Sequence, residues 1–180
     1  MFTASHNPAH YNGIKLCRSQ ARPVGADTGL SAIRDAVATG QPVRAATRGR
    51  IDETDVLEAY ADQVRMLAPV LGRPLKIVVD AGNGMAGLTA PAVLGPLHER
   101  IEMVPLYFEL DGSFPHHEAN PIEPENLRDL EERVLAERAD LGLAFDGDAD
   151  RCFVVDERGE AVSPSALTAL IAARELAKEP

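Results

Sequence analysis

Apolar residues follow two rhythms along this chain. At Leu75–Val79, Ile101–Phe108, Leu141–Phe145 and Cys152–Val155 they form short blocks bounded by polar or glycine-rich turns, the pattern of buried strands. Elsewhere they recur every three or four residues, which predicts helices. Thr28 to Thr39 carries Leu30, Ile33 and Val37 on one face, with Asp27 or Thr28 as cap and Gly40 as its end. A second helix starts from Asp52 or Thr54, with Val56, Leu57, Tyr60, Val64 and Leu67 as its stripe. Glu53, Asp55 and Glu58 lie near its positive end. An Ala-rich stretch after Gly87 reads as a helix interrupted by Pro91 and Pro96. Glu125 to Ala139 places Leu127, Leu130 and Val134 on one face, and Ser163 caps a last helix with Pro164 at its first position. At the start of the chain Asn12-Gly13 signals a turn, with a strand from Ile14 to Cys17 after it.

The order strand, helix, strand, helix, strand after residue 75 predicts an α/β fold with a mostly parallel βαβαβ sheet and right-handed crossovers. Ligands in such sheets bind beyond the carboxyl ends of the strands. Gln41 to Arg50 is polar and non-periodic, so a domain boundary is expected near Gly49-Arg50.

Composition narrows the function. A hydrophobic content of 45% over 180 residues suffices for a core, and a formal net charge of -10 argues against non-specific nucleic-acid binding. No apolar run approaches transmembrane length, so no membrane role is expected. Cys17 and Cys152 lack metal-ligand spacing and make no disulfide framework, which makes a reducing cytoplasm the default.

Two stretches carry candidate chemistry. The strand Leu141–Phe145 runs directly into Asp146, Asp148 and Asp150, separated only by Gly147 and Ala149 and followed by Arg151. Three carboxylates this close repel one another unless a cation offsets the charge, and oxygen ligands suit a hard divalent ion. An EF-hand fits Asp146, Asp148, Asp150 and Glu157 at positions 1, 3, 5 and 12, but Arg151 stands where that loop needs glycine and strands flank it instead of helices. Non-catalytic cation binding and a phosphatase with an aspartyl nucleophile remain alternatives. The second stretch is Thr3-Ala4-Ser5-His6-Asn7-Pro8, dense in loop formers, with Lys15 ten residues beyond Ser5. A serine hydroxyl needs a base, a metal or a positive environment to act as nucleophile, and a cation on the acidic loop with an open position would take a seryl phosphate oxygen.

Gly82, Gly84 and Gly87 after Leu75–Val79 match the dinucleotide fingerprint G-x-G-x-x-G. Glu109 and Asp111 lie further on than the ribose-binding acid should, and a nucleotide would leave the Ser5 and acidic loops unexplained. The preferred reading is a tight turn with close helix–strand approach. His116-His117, in the proline-containing loop Leu110–Glu125, have neither an i, i+4 partner nor a cysteine pair to complete a metal site, so a surface loop is expected.

Thr3–Pro8 with Tyr11-Asn12-Gly13-Ile14-Lys15, followed by Asp146-Gly147-Asp148-Ala149-Asp150-Arg151, resembles the α-D-phosphohexomutase superfamily, most closely its bacterial phosphomannomutase/phosphoglucomutase branch. The resemblance implies interconversion of hexose 1- and 6-phosphates through a phosphoserine and a bisphosphorylated hexose, which also serves as activator. It implies that Ser5 carries the phosphoryl group and that Mg²⁺ lies on Ser5, Asp146, Asp148 and Asp150. Lys15 and Arg151 would steady the transferring group, with His6 or Lys15 as proton carrier. Residues 1–50 would be the end of a first α/β domain, 51–163 a complete second domain of similar α/β type, and 164–180 the first helix of a third. Such enzymes have four domains, so the resemblance further implies a partial chain that turns over little substrate alone.

Overall fold

A computed structural model describes residues 1–40, 46–69 and 72–178, and its backbone divides into two compact units. The first comprises Met1–Thr3 with Asn12–Asp55, and the second Ala4–Tyr11 with Val56–Pro180. Residues 41–45 of the expected interdomain stretch, and 179–180 of the expected third-domain helix, lie outside the described residues.

In the first unit the expected Ile14–Cys17 strand is reduced to two isolated antiparallel bridges, Phe2 with Ile14 and Cys17 with Pro23. Thr3 N–H donates to Gly13 O and Lys15 N–H to Met1 O, which closes the hairpin around these bridges. The expected helix at Thr28 starts later. Ala26–Leu30 form a wider turn, broken at Gly29 (φ 139°), before α1, Ser31–Ala38. Gly25 N–H donates to Thr28 Oγ1, so Thr28 ties down that turn instead of capping a helix. Leu30, Ile33 and Val37 share a face as the pattern predicts, yet all three are exposed.

The second unit holds a four-stranded sheet in the order β2-β1-β3-β4. β1 (Leu75–Asp80) pairs parallel with β2 (Ile101–Leu106) and with β3 (Leu141–Phe145), and β4 (Cys152–Asp156) adds an antiparallel edge. Pro105 lies in β2, an edge strand, where a missing N–H leaves no ladder bond unmade. Alternate residues of β1 face opposite layers. Val78 packs with Leu127, Leu130, Val134, Ala139, Ala144 and Val155, whereas Ile77 and Val79 pack with Ala90 and Ile101. The first cluster is closed by α4 (Arg128–Glu137) and the second by α3 (Ala86–Leu94). α2 (Leu57–Leu67) lies against α3, and Arg65 donates to Ala92 O at 2.6 Å. The last helix, α5 (Pro164–Leu176), has the expected Ser163 cap, with Ser163 Oγ accepting from Ala166 N–H.

In the second unit three helix boundaries also differ from the sequence reading, and β2 stops at Leu106, short of the expected Phe108. α2 begins after Val56 with no side-chain cap, so neither Asp52 nor Thr54 serves it. α3 passes through Pro91 without breaking, since Gly95 N–H still reaches Pro91 O, and only then tightens into the turn Gly95–Leu97. The Glu125–Ala139 helix opens as a 3₁₀ turn at Pro124–Leu127 and ends where Arg138 turns left-handed, φ 51°.

Candidate metal and phosphoryl centre

Parallel pairing of β1, β2 and β3 places their carboxyl ends on one side, and the candidate groups gather there. β1 leads into the glycine turn 81–85, β2 into the histidine loop, and β3 into the acid loop 146–150. Asp146 follows β3 directly and is completely buried. Its loop is held by its own bonds: Ala149 N–H donates to Asp146 O at 3.0 Å, with Ala149 left-handed at φ 60°, and Arg151 N–H donates to Asp146 Oδ1 at 3.0 Å. Oxygens of Asp146, Asp148 and Asp150, one from each, lie within 4.8 Å of one another. An all-carboxylate set on a built turn fits a hard divalent cation and offers no soft ligand.

Ser5 and His6 belong to the same compact unit as this loop. Ser5 is left-handed, φ 55°, and its hydroxyl donates to Asp146 Oδ2 at 2.9 Å. The Arg151 guanidinium spans the group: Nε donates to Asp146 Oδ2 at 3.0 Å and Nη2 to Ser5 Oγ at 2.7 Å. Nη2 also donates to His6 Nδ1, which therefore presents a lone pair and carries its proton, when neutral, on Nε2. His6 Nδ1 lies 3.5 Å from Ser5 Oγ, so the Ser5 proton rests on Asp146 and not on His6. Arg151 contacts Asp150 Oδ1 more loosely, at 3.6 Å. Ser5, His6, Asp146 and Arg151 thus form one hydrogen-bonded cluster beside Asp148 and Asp150. Lys15 belongs to the first unit, where its N–H donates to Met1 O.

The glycine turn is a packing device for this site. A Cβ on Gly84 would lie 2.8 Å from Gly147 O and 3.0 Å from Gly147 Cα, and one on Gly87 would overlap the carbonyl oxygen of Phe108. Met85 N–H donates to Gly147 O at 3.0 Å. Two of the three fingerprint glycines therefore admit neighbouring backbone, one of them the acid loop itself. Gly147 in turn has no room for a Cβ against the Ser5 carbonyl.

Sequence reasoning missed the role of the histidine loop. It is at the surface, as expected, but both rings are engaged. His116 Nδ1 lies 2.7 Å from Asn83 Oδ1, His117 Nε2 lies 3.1 Å from the buried Asp80 Oδ2, and Tyr107 stacks on His116 with ring centres 3.9 Å apart. The Tyr107 hydroxyl donates to Asp129 at 2.6 Å, and that bond with burial pushes its pKa up to about 12. The signal available in sequence was weak: an acid ending a buried strand and a histidine pair nearly forty residues apart.

Residues 57–159 match the family model described as phosphoglucomutase/phosphomannomutase, alpha/beta/alpha domain II, and residues 1–44 match the corresponding domain I. The chain is 47% identical to a Xanthomonas campestris protein named for phosphohexose mutases, over 100% of this chain and 40% of that one. It is 41% identical to the phosphomannomutase/phosphoglucomutase of Pseudomonas aeruginosa, over 100% of this chain and 37% of that one. A crystal structure of a phosphoglucomutase/phosphomannomutase family protein from Burkholderia thailandensis superposes with a TM-score of 0.84 at 36% identity, covering 99% of this chain and 38% of that one. The chain thus spans about two fifths of the length of these relatives. Among the described residues no helix is long and apolar enough to cross a membrane.

Proposed function

Because the chain belongs to the phosphoglucomutase/phosphomannomutase family, we propose that it carries the phosphoryl-transfer centre of a phosphohexomutase, with Ser5 as the phosphoryl carrier. The observation that carries this reading is the Ser5 hydroxyl held between the Asp146 carboxylate and the Arg151 guanidinium. Residues 1–50 would contribute the serine loop as the end of a first domain, 51–163 the acid loop as a second domain, and 164–180 the opening helix of a third. Separate matches to domain I and domain II models support that division.

Phosphoryl transfer asks mainly for alignment and for neutralisation of charge on the moving group. In one direction the bond from phosphorus to Ser5 Oγ breaks as a hydroxyl oxygen of the hexose phosphate bonds to phosphorus, giving a bisphosphorylated hexose. In the other, Ser5 Oγ becomes the nucleophile and takes a phosphoryl group back. Arg151 Nη2, on the Ser5 oxygen, stabilises the charge that develops there as that bond breaks. When the oxygen attacks, its proton already points at Asp146 Oδ2. His6 accepts from the same guanidinium and holds it in place, and Lys15 would add a second positive charge to the phosphoryl group. The cation of this site, Mg²⁺, would rest on Asp146, Asp148, Asp150 and the Ser5 oxygen, where it supplies further neutralisation of the phosphoryl charge. A phosphorylated hexose as substrate, its bisphosphate as activator and a cytoplasmic location complete the reading.

The test is intact-mass spectrometry of the 180-residue chain after incubation with a hexose 1,6-bisphosphate and Mg²⁺. The wild-type chain should gain one phosphoryl group, mapping to Ser5, and Ser5→Ala should gain none. A phosphoryl group on the S5A chain, or one on the wild type that maps to a residue other than Ser5, removes Ser5 from the mechanism.

A further inference from the structure

Two histidines hold the glycine turn, and the glycine turn holds the acid loop. Asp80, at the carboxyl end of β1, accepts the Gly82 N–H on Oδ1 at 2.8 Å and meets His117 Nε2 with Oδ2 at 3.1 Å. The other ring nitrogen of His117, Nδ1, lies 2.9 Å from Glu118 O. A carboxylate and a carbonyl can only accept, so both nitrogens must donate, and a ring with two N–H groups is an imidazolium. A neutral ring satisfies one partner and leaves the other unmet. Burial by itself pulls the His117 pKa down. The hydrogen bond and charge of Asp80, the Glu118 carbonyl and the charge of Asp129 on α4 outweigh it, so His117 titrates above the ordinary histidine value of 6.5.

The other groups facing His117 are Tyr107, edge-on with ring centres 5.5 Å apart, and its neighbour His116. His116 reinforces the same turn through Asn83, which is buried and left-handed at φ 59° and donates from Nδ2 to Glu109 O at 2.8 Å. From the turn the next contact is the acid loop, through Met85 N–H on Gly147 O and the backbone contact of Gly84 with Gly147. Gly147 lies between Asp146 and Asp148 in the chain, so its backbone sets the separation of two carboxylates.

We propose that His117 and Asp80 are positioning residues for the acid loop, the protonated His117 bracing the glycine turn so that the turn holds Gly147 and its flanking carboxylates in place. Neither residue touches a reacting atom. A histidine with a raised folded pKa contributes this bracing fully below 6.5 and loses it as pH rises through the folded value. The consequence for cation binding rests on the metal site of the proposed function; the bracing itself does not.

The test uses the ¹⁵N-labelled 180-residue chain and His117→Gln, which keeps one donor toward Asp80 and none toward Glu118. Imidazole ¹⁵N shifts should show both His117 nitrogens protonated at pH 6.5, with a midpoint above that value. The hydrogen-exchange protection factor of the Met85 amide should fall about two- to tenfold as pH rises through that midpoint, the effect of losing one hydrogen bond. In H117Q it should be low at pH 6.5 and show no step. Mg²⁺ affinity measured by calorimetry should follow the same curve. A singly protonated ring at pH 6.5, or a Met85 step that survives in H117Q, overturns the proposal. If H117Q does not fold, the wild-type titration decides, because ring protonation and Met85 protection must change together. A wild-type chain that binds no Mg²⁺ at any pH sinks the metal reading, while the Met85 amide still decides the bracing.

Discussion

Replacing Gly87 by Ala sets two well-understood effects against each other. Gly87 is the second residue of α3, and helix propensity alone favours alanine there by up to about 1 kcal/mol. Packing says the opposite. The added Cβ would overlap Phe108 O and lie 2.9 Å from Phe108 C and 3.1 Å from its Cα, inside the range where ordinary contact begins at 3.4 Å. Those atoms are backbone and cannot rotate aside. They follow Tyr107, whose φ is 55° and whose carbonyl accepts the Asn83 N–H at 2.9 Å, and precede Glu109, whose carbonyl accepts Asn83 Nδ2 at 2.8 Å, so the segment is held from both sides. Relief requires α3 to move off the end of β2 by about 1 Å in an interior packed without slack. Overpacking costs about 1–3 kcal/mol, and an overlap with backbone that cannot rotate lies in the upper part of that range, about 2–3 kcal/mol, which leaves a net loss of about 1–2 kcal/mol after the helix gain. For a chain of this size that is a fall in Tm of about 2–8 °C. Thermal unfolding of wild type and G87A, followed by circular dichroism at neutral pH, reads it directly. A G87A chain that melts at or above the wild-type temperature would refute the close-approach account and reopen the dinucleotide reading of the glycines.

Removing the guanidinium with Arg151→Met leaves the buried Asp146 with hydroxyl and backbone donors but no positive partner. Breaking a fully enclosed pair costs about 3–5 kcal/mol, and since Arg151 is 32% exposed, screening reduces this to about 1–3 kcal/mol, a drop of about 2–12 °C that calorimetry would detect. An unchanged melting temperature would mean that the ion pair contributes no stability. At the opposite end of β1 the Arg73 side chain, followed by the Lys76 N–H, holds the Asp140 carboxyl below its ordinary 3.8. A depressed carboxyl pKa gives stability that is present above 3.8 and lost as pH falls through the lower folded value. Asp140→Asn should therefore flatten the acid limb of a Tm-against-pH curve, and identical limbs in the two proteins would reject the assignment.

Strands β1, β3 and β4 and the burial of Leu130 and Val134 were legible from hydrophobic rhythm, because strand and helix periods are local properties of the chain. So was the clustering of the acid loop, since three carboxylates within five residues stay close wherever they are placed. The starts of α1 and α2 were misread because Thr28 and Asp52 or Thr54 were available as caps but the backbone did not use them. Leu30, Ile33 and Val37 show the converse limit: they form an amphipathic face that stays exposed, because periodicity reports which residues share a side and not what covers it.

Sequence alone determined that this chain alternates strands with helices, and it singled out a serine loop and an acid loop as candidates, the acid loop offering only oxygen donors. Tertiary structure decided what those stretches touch. Parallel pairing of β1 with β2 and β3 brought three loops to one end of the sheet, and there Arg151 bridges Ser5 and Asp146, residues 141 apart in the chain. The same pairing let Asp80 meet His117 and Gly84 meet Gly147. Such contacts have no trace in spacing, because the energy that selects them belongs to the packed sheet as a whole and not to any segment within it.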